Sequence, residues 1–259
     1  MDLGISGKKA IVCASSKGLG KGCAMALAEA GCDIVVNGRN AELVAKTATE
    51  LRERYGVTVT EVVGDVSKPE VQKALLAACP EPDILVNNNG GPPLRDFREL
   101  DRTKILEGVT QNMVTPIELV QAVLDGMAKR GFGRIVNITS LSVYVPIPGL
   151  DLSSGARGGL SIFVAGVARQ VAEANVTINN LLPGAFATDR LQSTLAGAAK
   201  RKGISVDQAR TERIATISAK RIGEPAEFGA TCAFLCSAPA GYITGQNLVI
   251  DGGAFPGAF

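Results

Sequence analysis

An α/β domain, one parallel sheet with helices packed on both faces, is predicted by three observations. Short apolar runs alternate with longer helical patterns along most of the chain. The length, 259 residues, suits one large α/β core better than two small domains. A glycine-bearing turn, Ala14 to Gly20, joins the first apolar run to the first helical stretch, near the N-terminus.

The strands are read at Ala10 to Cys13, Asp33 to Asn37, Thr58 to Val63, Ile84 to Asn87, Arg134 to Thr139, Thr177 to Leu182 and Leu248 to Ile250, each a short apolar run bounded by turn residues. Helical stretches lie between them at Gly20 to Ala30, Ala41 to Tyr55, Lys68 to Ala78, Thr103 to Lys129, Ser154 to Ala174 and Ala226 to Cys236. Each strand, helix, strand unit returns the chain to the same edge by a right-handed crossover, so the sheet is parallel. The predicted fold is a single-domain, Rossmann-type, doubly wound parallel sheet over residues 1–259. The alternation fails between about Ala185 and Gly223, where a polar, helix-prone insertion follows a strand's carboxyl end, the place for a helical substrate lid.

Composition excludes several classes. Charged residues make up 20% of the chain and the formal net charge is +2, which speaks against a disordered tail and against a nucleic-acid binder. The uncharged stretch Phe228 to Ile250 is broken by Pro239, Gly241, Gly245, Gln246 and Asn247, so it reads as a buried helix followed by a strand, not as a membrane span. No secretory signal opens the chain, and six cysteines without metal-ligand spacing, in a sequence lacking histidine, point to structural thiols in a reducing cytoplasm with no metal site.

In the turn itself, Gly18 and Gly20 stand at the mouth of a helix, where small residues let backbone N–H groups approach a pyrophosphate. The run Cys13, Ala14, Ser15, Ser16, Lys17, Gly18, Leu19, Gly20 resembles the Thr-Gly-x-x-x-Gly-x-Gly opening of short-chain dehydrogenases/reductases, with Ala14 in place of the first glycine. Three further stretches follow that family's order. Asp65 and Val66 in GDVS match its adenine contacts, and Asn87, Asn88, Asn89 and Gly90 in VNNNGG match its Asn-Asn-Ala-Gly. Pro183, Gly184, Phe186 and Thr188 fall where it receives the nicotinamide carboxamide, and the resemblance runs from about Gly7 to Gly253. It implies a nicotinamide cofactor. At the end of the second strand stand Asn37, Gly38 and Arg39 with no acid, and Lys17 with Arg39 could clamp a 2′-phosphate, so NADP(H) is expected over NAD(H).

The resemblance also implies a catalytic Asn, Ser, Tyr and Lys. Asn112 and Ser140 match the first two, but Ser153 and Arg157 occupy the Tyr-x-x-x-Lys positions. A serine hydroxyl is a far weaker acid than a phenol, and a guanidinium keeps its charge without relaying a proton. Arg157 retains the electrostatic and ribose-holding role of the family's lysine. The missing acid is sought at Tyr144, four positions after Ser140, where a nearby cation would favour proton release; lining the pocket or packing under the lid is the other reading.

The implied activity is an NADP(H)-dependent interconversion of a carbonyl and an alcohol, of 3-oxoacyl, sugar or small-alcohol type, with a divergent proton donor. Two alternatives stand beside it: an NADP(H)-binding pseudoenzyme, and a lyase resembling halohydrin dehalogenases, against which the intact Gly18 and Gly20 argue. Arg190, Lys200, Arg201, Lys202, Arg210 and Arg213 in the insertion read as a solvated helical surface or as a lid attracting an anionic substrate. The helices Thr103 to Lys129 and Ser154 to Ala174 are the expected faces of a homotetramer or homodimer.

Overall fold

A computed structural model describes residues 2–257. The elements run β1 (Lys9–Val12), α1 (Gly18–Glu29), β2 (Asp33–Gly38), α2 (Ala41–Tyr55), β3 (Val59–Val63), α3 (Pro69–Ala78), β4 (Ile84–Asn87), α4 (Arg102–Val109), α5 (Thr115–Lys129) and β5 (Gly133–Ile138). They continue with α6 (Asp151–Val171), β6 (Val176–Pro183), α7 (Asp189–Lys202), α8 (Val206–Ala215), α9 (Pro225–Leu235) and β7 (Asn247–Ile250). All seven strands are parallel, in the order β3-β2-β1-β4-β5-β6-β7. The strand order reverses direction between β1 and β4, and a crevice opens there outside their carboxyl ends.

Strand side chains alternate faces, and the alternation sorts the core into two layers. Val12, Val36, Val86 and Val136 meet Leu27 of α1, Val44 and Leu51 of α2 and Phe228 of α9. Ile11, Val35, Leu85 and Ile135 meet Leu75 of α3, Leu119 and Met127 of α5 and Leu160 and Val164 of α6. Helix α1 crosses α9 with no room for a side chain: a Cβ on Gly229 would lie 2.1 Å from the Gly22 carbonyl oxygen. All six cysteines are buried and unpaired, and burial pushes the Cys13 and Cys32 thiols up to about 12, so they stay protonated and inert.

One departure from the sequence reading and one agreement with it position the site. The stretch expected as one helix from Thr103 is α4 and α5 joined by a π turn, Thr110–Val114, which carries Asn112 inward. The insertion folds into α7 and α8, capped by Thr188 and by a reciprocal Ser205–Gln208 pair, around a small core of Leu195, Ala199 and Ala209. Among the described residues, no helix is long and apolar enough to cross a membrane.

Candidate active site

One cavity of about 2010 Å³ follows the crevice from the glycine turn to the lid. At its glycine-turn end, Lys17 caps α1 without a side-chain acceptor, so the first-turn N–H groups remain available to an anion. Gly18 has φ +59°, and a Cβ there would meet only Thr188, 3.6 Å away. Gly20 permits the close approach of helix to strand: a Cβ would sit 2.4 Å from the Ala14 carbonyl oxygen. Ala14 is itself left-handed, φ 44°, the conformation for which glycine is favoured.

The turn is held from beneath. Asn37 accepts from the Ala14 N–H at 3.0 Å and donates to the Val62 and Gly64 carbonyls, and Ser15, fully buried, donates to the Val12 carbonyl at 2.6 Å. Both were expected at the cofactor; their side chains are committed to the backbone, and Ser15 does not line the cavity. Asn88 donates to the Ala14 carbonyl at 3.1 Å, completing the frame. Ser16, Lys17, Leu19, Val66, Gly90, Pro183, Gly184 and Phe186 line the cavity, and the Phe186 ring meets Phe228 edge-on at 5.3 Å.

Two cations stand at the glycine-turn end. Arg39 is exposed at the end of β2, beside Asp65. Burial raises the Asp65 pKa, but its hydrogen bonds to Ser67 and the Arg39 charge outweigh that, and the net shift is downward. Lys17 forms a 2.7 Å ion pair with Asp189, the first residue of α7, tying the glycine turn to the lid.

At the other end, Ser140, Ser153 and Arg157 line the same cavity. Ser140 follows β5, and its Oγ accepts from the Ser142 N–H at 3.1 Å, which leaves its hydroxyl hydrogen free. Ser153 and Arg157 share a face of α6, but the Ser153 hydroxyl is spent on the Leu150 carbonyl at 3.0 Å. The half-buried Arg157 donates from Nη1 to the Ile138 carbonyl at 2.6 Å and from Nη2 to the Asn89 carbonyl at 3.4 Å. Burial, then the like charge of Arg190, brings Arg157 down to about 10, so it is still a cation at neutral pH. Tyr144 is outside the cavity lining; its ring stacks on Phe255 at 5.6 Å.

Behind Arg157 lies a second cavity of about 20 Å³, lined by Asn87, Asn112 and Thr115. Asn112 donates to the Gly108 carbonyl at 3.2 Å, while its Oδ1, the Asn87 Oδ1 and the Thr115 Oγ1 are buried without a partner among the described residues. Asn87 also begins an amide row that sequence reasoning did not find. Asn87 donates to Asn137, Asn137 to Asn180 and Asn180 to Asn247, at 2.9, 3.0 and 2.7 Å, across β4, β5, β6 and β7. In sequence each looks like an ordinary strand-end polar residue; the signal is their equal register.

Residues 13–254 match the family model described as Enoyl-(Acyl carrier protein) reductase. The cattle protein Dehydrogenase/reductase SDR family member 4 is 34% identical, over 96% of this chain and 88% of its own. The chain belongs to the short-chain dehydrogenase/reductase family. This short-chain dehydrogenase/reductase is also 31% identical to the 3-oxoacyl-[acyl-carrier-protein] reductase FabG of Vibrio cholerae, over 98% of the chain and 99% of the relative. Among solved structures, the L-sorbose reductase of Gluconobacter frateurii, complexed with NADPH and L-sorbose, superposes with a TM-score of 0.93 at 29% identity, covering 99% of this chain and all of that one.

Proposed function

We propose that the protein is an NADP(H)-dependent oxidoreductase that interconverts a carbonyl and an alcohol, with water in place of a tyrosine as the proton source. The observation that carries the reading is the single cavity that joins an uncapped glycine-turn helix to Ser140 and Arg157. The names of its relatives, reductases and an NADPH complex among them, support it. The residues fit the cofactor: the open space at Gly90, the free N–H groups of α1 and the exposed Arg39 suit a pyrophosphate and a 2′-phosphate. The main chain at Ala14 to Gly20, the Asp65–Val66 turn, the Asn88–Gly90 strand end and the Pro183–Thr188 loop hold the dinucleotide in this reading.

When bound, NADPH supplies the hydride. Ser140 donates its free hydroxyl hydrogen to the substrate carbonyl oxygen and orients it. As the carbonyl π pair moves onto oxygen, the fixed charge of Arg157 stabilises the alkoxide. The alkoxide then takes a proton from water, since Ser153 is spent on Leu150 and Tyr144 lies against Phe255. Asn112 positions the small polar cavity behind Arg157, which has room for one water. An oligomer formed through α4 and α6 accords with the exposed apolar residues there, of which Ile162 is 80% accessible.

Fluorescence titration with NADPH and NADH, followed by NADPH-consumption assays over acyl, sugar and small-alcohol carbonyls, tests the reading. NADPH is expected to bind more tightly, and Arg39→Ala to remove about tenfold of that preference, the scale of one charge-assisted contact. Ser140→Ala is expected to lower turnover by about 10² to 10³, as for other donors to a developing oxyanion. Equal binding of NADH overturns the cofactor preference. Tight NADPH binding with no turnover of any carbonyl establishes the alternative, a nucleotide-binding pseudoenzyme.

A further inference from the structure

Two guanidinium groups face the substrate half of the cavity without an acid between them. The loop after β4 sets both: Arg157 Nη2 donates to the Asn89 carbonyl at 3.4 Å, and Arg190 Nη2 to the Pro92 carbonyl at 3.0 Å. Gly91 stands between, where a Cβ would lie 3.5 Å from Arg190 Nη2 and 4.0 Å from Arg157 Nη2. Any other residue there would push a side chain toward the gap. Among the described residues, neither guanidinium has a carboxylate within ion-pair distance; the nearest lid acid in sequence, Asp189, is taken by Lys17.

Arg157 is half-buried and Arg190 is exposed at the cavity mouth, and two cations brought this close repel each other unless an anion joins them. The repulsion adds to burial in bringing Arg157 down to about 10. Each guanidinium has five N–H donors, and these contacts use two of those on Arg157 and one on Arg190. The unspent donors can take an oxyanion from two sides. Leu141, Ile147 and Leu150, between β5 and α6, and Leu191 and Leu195 on the lid are apolar residues that line the same cavity.

We infer that Arg157 and Arg190 form a clamp for an anionic group on the substrate, a carboxylate or a phosphate, so that the carbonyl compound is an oxo acid or an oxo phosphate. Arg190 is a specificity-determining residue on the lid; the anion draws α7 toward the β4 loop. The inference rests on the oxidoreductase reading above for the identity of the carbonyl substrate.

Isothermal titration of the protein saturated with NADP⁺ tests it, because the oxidised cofactor fills the phosphate sites and cannot reduce the ligand. Pyruvate, 3-oxobutanoate and 4-oxopentanoate are each paired with their methyl ester, and dihydroxyacetone phosphate with dihydroxyacetone. In at least one pair the anion is expected to bind about tenfold or more tightly than its neutral partner, the scale of a hydrogen bond to a charged group. Arg190→Gln is expected to bring that ratio below about threefold, and Arg190→Lys to restore part of it by returning the charge without the fork. Preference among the acids identifies a carboxylate site; preference confined to the phosphate pair identifies a phosphate site. Equal affinities in every pair, or binding in none, overturn the clamp, as does a preference that survives Arg190→Gln. Absence of NADP⁺ binding is a failure of the oxidoreductase reading instead; the same pairs titrated into cofactor-free protein then judge the clamp by its dependence on Arg190.

Discussion

Arginines near opposite ends of the sheet meet the same difficulty, a buried charge with no carboxylate, and answer it differently. Arg134, at the start of β5, is 1% exposed. It makes four hydrogen bonds, to the carbonyls of Ser237, Gly133 and Asn175 and to Asn175 Oδ1, at 2.8 to 3.1 Å, with Phe132 4.3 Å beneath the guanidinium. Arg157, at the carboxyl end, makes two, and its other donors face a cavity shared with Arg190. Burial lowers both pKa values, so burial does not tell them apart. What distinguishes them is the count of unspent donors: the first arginine is a cross-link between chain segments, and the second is held ready for something the protein does not itself contain.

The sharpest test of that contrast is the pair of methionine substitutions, which keep the apolar stem and delete the charge. Arg157→Met is expected to lower kcat/KM for a confirmed carbonyl substrate by about 10² to 10³, or 3 to 4 kcal/mol of transition-state stabilisation. Its stability to urea should hold or rise, since an unpaired, partly desolvated cation is removed. Arg134→Met should do the reverse. It leaves the buried Ser237 and Gly133 carbonyls and both oxygens of Asn175 short of a donor, and a stability loss of about 3 kcal/mol is expected. NADPH affinity should not move, because Arg134 lies at the opposite end of the sheet from the glycine turn. If Arg134→Met lowers NADPH affinity, or Arg157→Met destabilises as much as Arg134→Met, the division into cross-link and ligand site fails.

The same distinction explains what the sequence could and could not disclose. Strand and helix order was legible because the strands are short apolar runs bounded by turn or small polar residues, and the observed sheet uses all seven. The glycine turn was legible because its chemistry is local: Gly18 and Gly20 act within one turn of the residues that need them. Side-chain direction was not. Ser15 sits in the turn's sequence and Asn37 at the end of β2, but the side chains of both are spent on the backbone beneath the turn, and Tyr144, close to Ser140 in the chain, lies against Phe255. The meeting of Arg157 with Arg190 depends on α6, the lid and the β4 loop together, and no spacing in the sequence encodes it. The asparagine row likewise appears only once the strands are in register.

Ala14 offers the smallest effect and a third kind of tension at the carboxyl edge, carried by the backbone instead of a charge. Its φ of 44° is held by Asn37 on its N–H and Asn88 on its carbonyl, both well-formed hydrogen bonds. For a residue with a Cβ the left-handed conformation costs about 1 to 2 kcal/mol relative to glycine. Glycine in turn gives the unfolded chain more freedom, a penalty of about 0.5 to 1 kcal/mol. The difference leaves Ala14→Gly more stable by about 0.5 to 1 kcal/mol in urea unfolding, provided the two asparagine contacts persist. A loss of stability would mean that the Cβ makes packing contacts worth more than the strain. A gain would place the tension at Ala14 in the backbone alone, and would separate it from the unspent guanidinium donors of Arg157, whose tension no backbone substitution relieves.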